Sequence, residues 1–232
     1  MPLLIRDRGV DGVICLQPNA AITDACAALN LATVTLFDHG EGIHGIEPDQ
    51  REGMRQAVRY LAELGHRRIA YLGHEPGFSS SIDRLEGYRE GLKEHEIPVE
   101  DSLIEASLRA ISWGPRGVDR LLSRSPNFTA LVCYNDTIAM DAVRRLQERG
   151  FKVPQQISVI GFDDISSQYN FSPALTSIHF DGVAMGCRAV ELLGELRAAP
   201  PHTADVTCWR HELFPVQLKI RESTLPLAAS RR

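Results

Sequence analysis

Short runs of apolar, often β-branched residues alternate along this chain with longer stretches whose apolar residues recur at helical spacing. The short runs predict strands, and the longer stretches predict amphipathic helices. In the stretch Thr137–Arg149, for example, Ala139, Ala142, Val143 and Leu146 lie along one face. The predicted strands are Gly12–Leu16, Thr33–Phe37, Arg68–Leu72, Ser102–Ala106, Leu131–Tyr134, Ile157–Phe162, Leu175–Ile178 and Val216–Ile220. The other predicted helices are Ala21–Asn30, Gln50–Leu64, Ile82–His95, Pro115–Arg124 and Gly182–Arg197.

The order of these elements predicts the fold class. Continuous apolar strands separated by helices are typical of parallel sheets that helices cover on both faces. The crossovers between such strands are right-handed. The predicted class is therefore α/β, without internal repeats or a low-complexity linker.

Polar side chains follow five of the predicted strands, at the point where each strand ends. Because parallel strands point the same way, these groups collect at one edge, and ligands bind outside the carboxyl ends of such strands. The groups are mostly acids and neutral acceptors with few cations, which favours a neutral, hydroxyl-rich ligand over a phosphate. They are Gln17 and Asn19, Asp38 and His39, His74 and Glu75, Asn135 and Asp136, and Asp163 and Asp164.

Some of these residues also have a purely structural interpretation. Asp136 precedes a helix and is better suited to cap it than to bind a ligand. Asp164 is suited to accept hydrogen bonds from loop amides. Asn135 and Asp163, directly at strand ends, are the better candidates for ligand contact. Neighbouring side chains at a strand end point to opposite sides, so Asp163 and Asp164 are not expected to share a proton.

The composition narrows the possible functions. The 232 residues include 25 Lys and Arg and 30 Asp and Glu, a formal net charge of −5 that does not suit a nucleic-acid-binding surface. Five scattered cysteines without a CxxC pair indicate reduced thiols in a cytosolic protein. The first residues carry the pattern of neither a signal peptide nor a membrane span.

No motif of a known catalyst is found in the sequence. The glycine motifs of dinucleotide and phosphate sites and the GxSxG motif of hydrolases do not occur. HELFP and EHEIP place His beside Glu but lack the second His of a zinc-protease helix, and the eight histidines show no metal-ligand spacing. We therefore expect no enzyme activity, no cofactor and no metal.

Six sequence blocks occur in an order that is specific to one family. Together they resemble the effector-binding core of the LacI/GalR family of bacterial transcription regulators, over nearly the whole chain from Gly9 to Thr224. The most specific block is the long one that ends in GFDDI. The blocks are GVDGVI, LAELGHRRIAYLG, RLEGYREGL, YNDTIAMDAVRRLQERGFKVPQQISVIGFDDI, PALTSIHFD and LKIREST.

The resemblance implies two doubly wound, parallel-sheet subdomains of the periplasmic-binding-protein type I fold, with the ligand in the cleft between them. It assigns residues 1–66 plus 182–214 to the N-terminal subdomain and residues 67–181 plus 215–225 to the C-terminal one. Residues 226–232 would form a tail.

The resemblance also implies roles for single residues. Arg84 matches the family's cleft arginine, whose planar fork donates hydrogen bonds to ligand oxygens. Asn135 matches the cleft asparagine, Asp163 the aspartate that accepts from ligand hydroxyls, and Asp38 an acid of the N-terminal subdomain. A charge on a helix surface is the structural alternative for Arg84.

Two aromatic residues complete the expected site. Trp113, with Ser112 beside it, lies close to where family members present a ring for stacking, and a packed core aromatic is the alternative. Phe180 stands where a family member has glutamine, which implies a different ligand or more stacking.

The chain departs from the family pattern at its beginning. The helix-turn-helix that reads the operator and the opening strand–helix units have no counterpart, so we expect an incomplete N-terminal subdomain with two or three strands and exposed sheet edges. The implied partners are a small-molecule effector of the sugar or nucleoside/purine class, a second copy in a homodimer, and operator DNA through the missing head only. We expect a cytoplasmic protein that does not contact a membrane.

Two other functions stay open at this point. The first is a periplasmic sugar-binding protein of a transport system, against which the GFDDI, LTSI and LKIREST blocks argue. The second is an enzyme.

Overall fold

The computed structural model describes residues 9–16, 20–37, 42–74, 77–106, 113–198 and 209–227. Within these residues the strands are β1 (Gly12–Leu16), β2 (Ala32–Leu36), β3 (His44–Pro48), β4 (Ile69–Leu72), β5 (Ile104–Glu105), β6 (Ala130–Cys133), β7 (Ser158–Phe162), β8 (Thr176–Phe180), β9 (His211–Phe214) and β10 (Val216–Lys219). The helices are α1 (Ala20–Ala28), α2 (Gln50–Glu63), α3 (Ser79–Glu94), α4 (Trp113–Arg124), α5 (Asp136–Glu148) and α6 (Gly182–Ala198), with 3₁₀ turns at Asp101–Leu103 and Ser166–Gln168.

The contacts divide the chain into two compact units. Unit 1 consists of Met1–Asp49, Phe78–Ser80 and Asp181–Pro215, and unit 2 of Gln50–Gly77, Ser81–Phe180 and Val216–Arg232. Both contain parallel sheets and helices, which confirms the predicted α/β class. No helix among the described residues is both long and apolar enough to span a bilayer.

Unit 1 is built on a parallel sheet with the strand order β1-β2-β3-β9. Helix α6 packs against β1, β2 and β3 and buries Met185, Ala189 and Leu192. The described part of this sheet has four strands, where the sequence predicted two or three. Strands β3 and β9 were not predicted because HGIEP and HELF contain charged residues, and HGIEP also contains Gly and Pro, which are depleted in strands.

Unit 2 is built on a six-stranded sheet with the order β10-β8-β7-β6-β4-β5. Five strands are parallel, but β10 runs antiparallel to β8, with Val216 opposite Phe180 and Lys219 opposite Ser177. The expectation that all strands of the sheet point the same way is therefore wrong for this edge strand. An antiparallel partner is accommodated at the edge because it needs no crossover helix.

Helix α2 corrects the predicted subdomain boundary. The sequence placed residues up to 66 in the N-terminal subdomain, whereas α2 belongs to unit 2, so the division falls after Asp49. Its apolar face, which includes Met54, Val58 and Leu61, packs into the core of the six-stranded sheet. In the contact-based division, unit 1 resumes at Asp181, and the sequence placed this boundary between residues 181 and 182.

The C-terminal segment after β10 is part of the core of unit 2. The Ser223 hydroxyl donates to the Val159 carbonyl oxygen at 2.6 Å, and the Leu225 amide donates to Ser158 Oγ at 3.1 Å. The Leu227 amide donates to the Leu64 carbonyl oxygen at 2.9 Å. The predicted tail therefore starts later than residue 226, and residues 228–232 lie outside the described part of the chain.

Candidate functional site

The carboxyl ends of β4, β6, β7 and β8 lie at one edge of the six-stranded sheet, because these strands are parallel neighbours. The residues at these ends include His74, Tyr134, Asn135, Asp163 and Phe180. The edge therefore combines aromatic rings with polar side chains, as ligand sites in α/β proteins commonly do.

Arg84, on α3, reaches this edge from the interior of unit 2. It is only 5% exposed. Its Nε donates to Gln50 Oε1 at 2.6 Å, its Nη1 to the Tyr134 carbonyl oxygen at 2.5 Å and its Nη2 to Asp163 Oδ1 at 3.2 Å. The alternative of a surface helix charge is therefore wrong for Arg84, because its guanidinium is enclosed by hydrogen-bond acceptors.

Two aromatic rings hold the Arg84 guanidinium. Its central carbon lies 3.7 Å from the centroid of the Phe162 ring and 4.4 Å from that of the Tyr134 ring. Such cation–π contacts strengthen when the cation is desolvated. The orientation of the guanidinium fork is thus fixed by packing as well as by hydrogen bonds.

Asp163 and Asp164 form a turn with two consecutive left-handed residues, at φ 94° and 54°. This conformation is uncommon for residues other than glycine and costs conformational free energy. It persists only where surrounding contacts enforce it, and such places are often functional sites. The Asp163 amide continues the sheet by donating to the Ile178 carbonyl oxygen at 2.9 Å. The turn therefore presents the Asp163 carboxylate immediately after β7.

The two acids have different cationic partners. Asp163 contacts Arg84, whereas Asp164 accepts from Arg221 Nη2 at 2.6 Å and lies 3.1 Å from Nδ1 of His179. Burial raises the pKa of Asp163, although the nearby Arg84 charge opposes this effect. The two carboxylates therefore contact different cations, as expected for neighbouring side chains that point to opposite sides of the chain.

Asn135 caps helix α5, because its Oδ1 accepts from the Ile138 amide at 3.0 Å. The prediction that Asp136 is the cap is therefore wrong: Asp136 is the first helical residue and is fully buried. With Oδ1 committed to the helix, the Nδ2 amide is the group of Asn135 that is suited to donate to a ligand.

Asp136 lies beneath the turn. The Ser177 hydroxyl donates to its Oδ1 at 2.5 Å, and the Ser166 amide donates to its Oδ2 at 3.0 Å. Burial raises the pKa of Asp136 to about 6, with a smaller contribution in the same direction from the charge of Asp163. The hydrogen bonds from Ser177 and Ser166 lower it.

Of the remaining predicted site residues, the structure describes the side chain of Phe180 but not those of Trp113 and Asp38. The ring of Phe180 is half-buried, with its centroid 6.3 Å from that of Phe162. Trp113 is the first residue of α4, but its side chain lies outside the described part of the chain. Asp38 and Ser112 also lie outside it. The structure therefore brings Arg84, Asp163 and the backbone next to Asn135 together.

The sequence did not identify three residues that hold Arg84: Gln50, Tyr134 and Phe162. Only Gln50 leaves a signal in the sequence, because it is a polar residue in line with the apolar face of α2 that includes Gly53, Met54 and Ala57. A polar side chain on a buried face requires a buried partner.

The geometry suits recognition of hydroxyl groups. A hydroxyl both donates and accepts, and a carboxylate beside a guanidinium offers it one acceptor and one donor. Among the described residues, no three His, Cys, Asp or Glu side chains are arranged to hold a metal ion.

Comparison with known proteins gives a consistent set of relatives. Residues 58–224 match the family described as periplasmic binding protein-like domain. The HTH-type transcriptional regulator GalR of Salmonella typhimurium is 39% identical over 178 residues, which are 77% of this chain and 51% of GalR. The chain thus spans about half the length of this curated relative.

Two solved structures share both the fold and part of the sequence. A sugar-binding transcriptional regulator of the LacI family from Escherichia coli, complexed with phosphate, has a TM-score of 0.78 and 30% identity, covering 96% of this chain and 80% of its own. A LacI-family transcriptional regulator from Enterococcus faecium, with bound ribose, has a TM-score of 0.81 and 26% identity, covering 97% and 83%.

Proposed function

We propose that this chain, which belongs to the LacI family of transcriptional regulators and carries their periplasmic binding protein-like domain, is the ligand-sensing core of such a regulator. The ligand would bind at the carboxyl edge of the six-stranded sheet, with Arg84, Asn135 and Asp163 as its polar contacts. Binding would control the attachment of a separate helix-turn-helix to operator DNA.

The observation that carries this proposal is the fixed pair of Arg84 and Asp163. Their side chains meet at 3.2 Å at a sheet edge where ligands bind in α/β proteins. Packing by two rings and a hydrogen bond to Gln50 hold the guanidinium in place before any ligand arrives. Such preorganisation favours binding because little conformational entropy is lost.

The ligand class follows from the charges. Asp163 repels a phosphate and Arg84 is already paired, so the site favours a neutral molecule with several hydroxyl groups. A sugar or a nucleoside fits this description, and Phe180 offers a ring against which a sugar or base face can pack. The ribose bound to the regulator from Enterococcus faecium supports the class and gives a first ligand for testing.

Dimerisation and location belong to the same proposal. We expect a homodimer in the cytoplasm. A candidate contact surface is the groove of about 300 Å³ between α5 and residues 165–171, which is lined by Met140, Tyr169 and Phe171 among others. Tyr169 is 59% exposed there and could contact a second copy of the chain.

Two alternatives are weaker. The curated relatives are transcriptional regulators, which favours a sensing role over a periplasmic transport protein or an enzyme. Recovery of an unchanged ligand after prolonged incubation with the protein would agree with binding without catalysis, and conversion of the ligand would contradict it.

Thermal unfolding in the presence of ribose, other sugars, nucleosides and purines tests the proposal. A ligand that binds only the folded state stabilises it and so raises the melting temperature. At a ligand concentration one hundred times the Kd, the gain in the free energy of unfolding is about 2.7 kcal/mol. We expect one class of hydroxyl-rich ligand to do so in the wild type. The same ligand should bind Asp163→Asn at least tenfold more weakly, about 1.4 kcal/mol. Equal binding by Asp163→Asn would contradict the assigned site.

A further inference from the structure

A continuous chain of hydrogen bonds links the buried carboxylate of Asp136 to the left-handed turn. The Asp164 amide donates to Ser177 Oγ at 3.2 Å, and the Ser177 hydroxyl donates to Asp136 Oδ1 at 2.5 Å. The second oxygen, Oδ2, accepts from the Ser166 amide, three residues after Asp163. One carboxylate therefore holds the second residue of the turn through Ser177 and the segment that follows the turn through Ser166.

The carboxylate is closely surrounded. Asp136 is 0% exposed. A Cβ atom placed on Gly161, in β7, would lie 2.1 Å from Asp136 Oδ1, so the strand passes directly against the carboxylate. Because Gly161 lies two residues before Asp163, a change in these hydrogen bonds is transmitted to the site residue through very little chain.

We propose that Asp136 is the positioning residue of this site: its ionised carboxylate holds the Asp163–Asp164 turn in the left-handed conformation, and its protonation loosens the turn that presents Asp163 to the ligand. This inference rests on the function proposed above and adds a form of regulation to the same site. Asp136 acts through Ser177 and Ser166 and does not itself contact the ligand.

Protonation changes the turn for a simple reason. Hydrogen bonds to an ionised carboxylate are roughly twice as strong as those to a neutral group. A protonated Asp136 would also place a donor among the Ser177 hydroxyl and the Ser166 amide, both of which donate to it. The hydrogen bonds from Ser177 and Ser166 lower the pKa of Asp136, so a loosened turn that lacks them while the carboxyl stays buried binds the proton more tightly, and protonation favours that turn. Global unfolding has the opposite sign, because it exposes the carboxyl and returns its pKa to the ordinary value. The pKa of about 6 places the change in the turn within the range of pH that a cell can reach.

Other titratable and charged groups lie near the Asp136 carboxylate, and their protonation must be distinguished from that of Asp136. The Asp163 carboxyl follows β7, and the Cys133 thiol lies on β6; burial raises the pKa of both. Beyond them, Arg84 on α3 pairs with Asp163, and Asp164 pairs with His179 and Arg221.

Amide hydrogen exchange in the full chain tests, without any ligand, whether the ionisation of Asp136 holds the Asp163–Asp164 turn. In the wild type, the protection factors of the Asp164 and Ser166 amides should fall at least tenfold between pH 7.5 and pH 5, with a midpoint near 6. In Asp136→Asn the two amides should be weakly protected at every pH. A pH step that persists in Asp136→Asn would overturn the proposal, because another group would then be responsible.

Three further variants sharpen the result. Ser177→Ala keeps the carboxylate and removes only its link to Asp164, so Asp164 should lose protection while Ser166 keeps it. His179→Gln and Asp141→Asn should retain the wild-type pH step. Asp141 is a matched control because it lies on the same helix and is partly exposed. Loss of the step in His179→Gln would also overturn the assignment to Asp136.

The pH dependence of ribose binding then tests whether the state of the turn affects the proposed function. We expect the affinity of the wild type for ribose to fall at least tenfold from pH 7.5 to pH 5, and the affinity of Asp136→Asn to be low at both. Failure of ribose to bind at any pH counts against the proposed ligand, whereas the exchange experiment decides the role of Asp136 independently. A wild-type affinity that does not change with pH would overturn the link between the turn and binding.

Discussion

The guanidinium of Arg84 lies 3.7 Å from the centroid of the Phe162 ring. Phe162 is the last residue of β7, the strand that leads into Asp163. The same strand therefore provides both the surface on which the cation rests and the carboxylate that faces it. A ligand that contacts Asp163 meets an arginine whose direction is already set, and this arrangement leads to our first prediction.

Arg84→Lys should keep the positive charge and lose most of the site's function. A lysine cannot donate to Gln50, Tyr134 and Asp163 at once, nor stack as a flat group. We expect ligand affinity to fall at least tenfold, about 1.4 kcal/mol, measured by calorimetry with a sugar that stabilises the wild type.

Arg84→Ala should in addition destabilise the fold on the order of 3 kcal/mol, because Asp163, Gln50 and the Tyr134 carbonyl oxygen would lose their shared hydrogen-bond donor. Arg89→Ala is the matched control: Arg89 lies on the same helix but is partly exposed, and it forms an ion pair with Glu86. Its removal should change the free energy of unfolding by less than about 0.5 kcal/mol. An equal effect of both substitutions in urea unfolding would argue against a buried Arg84–Asp163 pair.

The two roles of Asn135 can be separated. Asn135→Ser should retain the cap, since serine caps helices about as well as asparagine, but it removes the amide donor. Asn135→Ala should lose both and cost roughly 1 kcal/mol of stability. We expect both variants to bind ligand more weakly and only the alanine variant to unfold more easily. Full affinity in Asn135→Ser would restrict this residue to its capping role.

Replacing glycine by alanine should change the stability of the fold in opposite directions at two positions. Gly161→Ala should destabilise the fold by about 1–3 kcal/mol, because the new methyl group collides with the Asp136 carboxylate. Gly186→Ala should stabilise it by roughly 0.5–1 kcal/mol, because Gly186 lies inside α6 and no atom of the described residues outside the helix backbone lies within 4 Å of the added Cβ. Urea unfolding of the two variants would detect this difference in sign.

His66 should make the fold sensitive to acid. It is 2% exposed, its Nε2 donates to the Leu225 carbonyl oxygen at 3.0 Å, and its Nδ1 lies 2.9 Å from the Thr129 hydroxyl. Burial lowers the pKa of His66 in the folded state. As the pH falls below the ordinary value of about 6.5, the unfolded chain takes up the proton first, so stability decreases.

His66→Gln isolates this contribution. The stability difference between wild type and variant should shrink when the pH drops from 7.5 to 5.5, as measured by urea unfolding. The comparison with a variant is necessary because the raised pKa values of Asp136 and Asp163 act in the opposite direction, favouring the folded state as the pH falls. A difference that stays constant with pH would exclude His66 as the source.

The elements of unit 2 could be predicted from the sequence because local pattern and tertiary environment agree there. Strand β7 is apolar throughout and buried throughout, and α5 has one clean apolar face. Strands β3 and β9 could not be predicted in this way, because their polar residues are accommodated by partners far along the chain. Glu47 is almost fully buried and contacts His211, 164 residues later.

The site could be predicted as a set of residues but not as a geometry. The strand-end pattern and the family resemblance identified Arg84, Asn135 and Asp163. Neither revealed that Gln50 and Tyr134 hold the arginine, because those contacts span 34 and 50 residues. The capping role of Asn135 was assigned to its neighbour because Asn and Asp are equally good caps, and only the backbone conformation distinguishes the two positions.

The segment from Ser223 to Leu227 has a consequence for how the protein is made. It donates to Val159, Ser158 and Leu64, and it accepts from His66, so it closes the amino-terminal ends of strands that are synthesised much earlier. Unit 2 therefore stays unfinished on the ribosome until Leu227 has emerged, and the unit 1 residues Asp181–Pro215 are translated before that. Release of a nascent chain that stops at Pro215 would leave this sheet open and expose it to proteases.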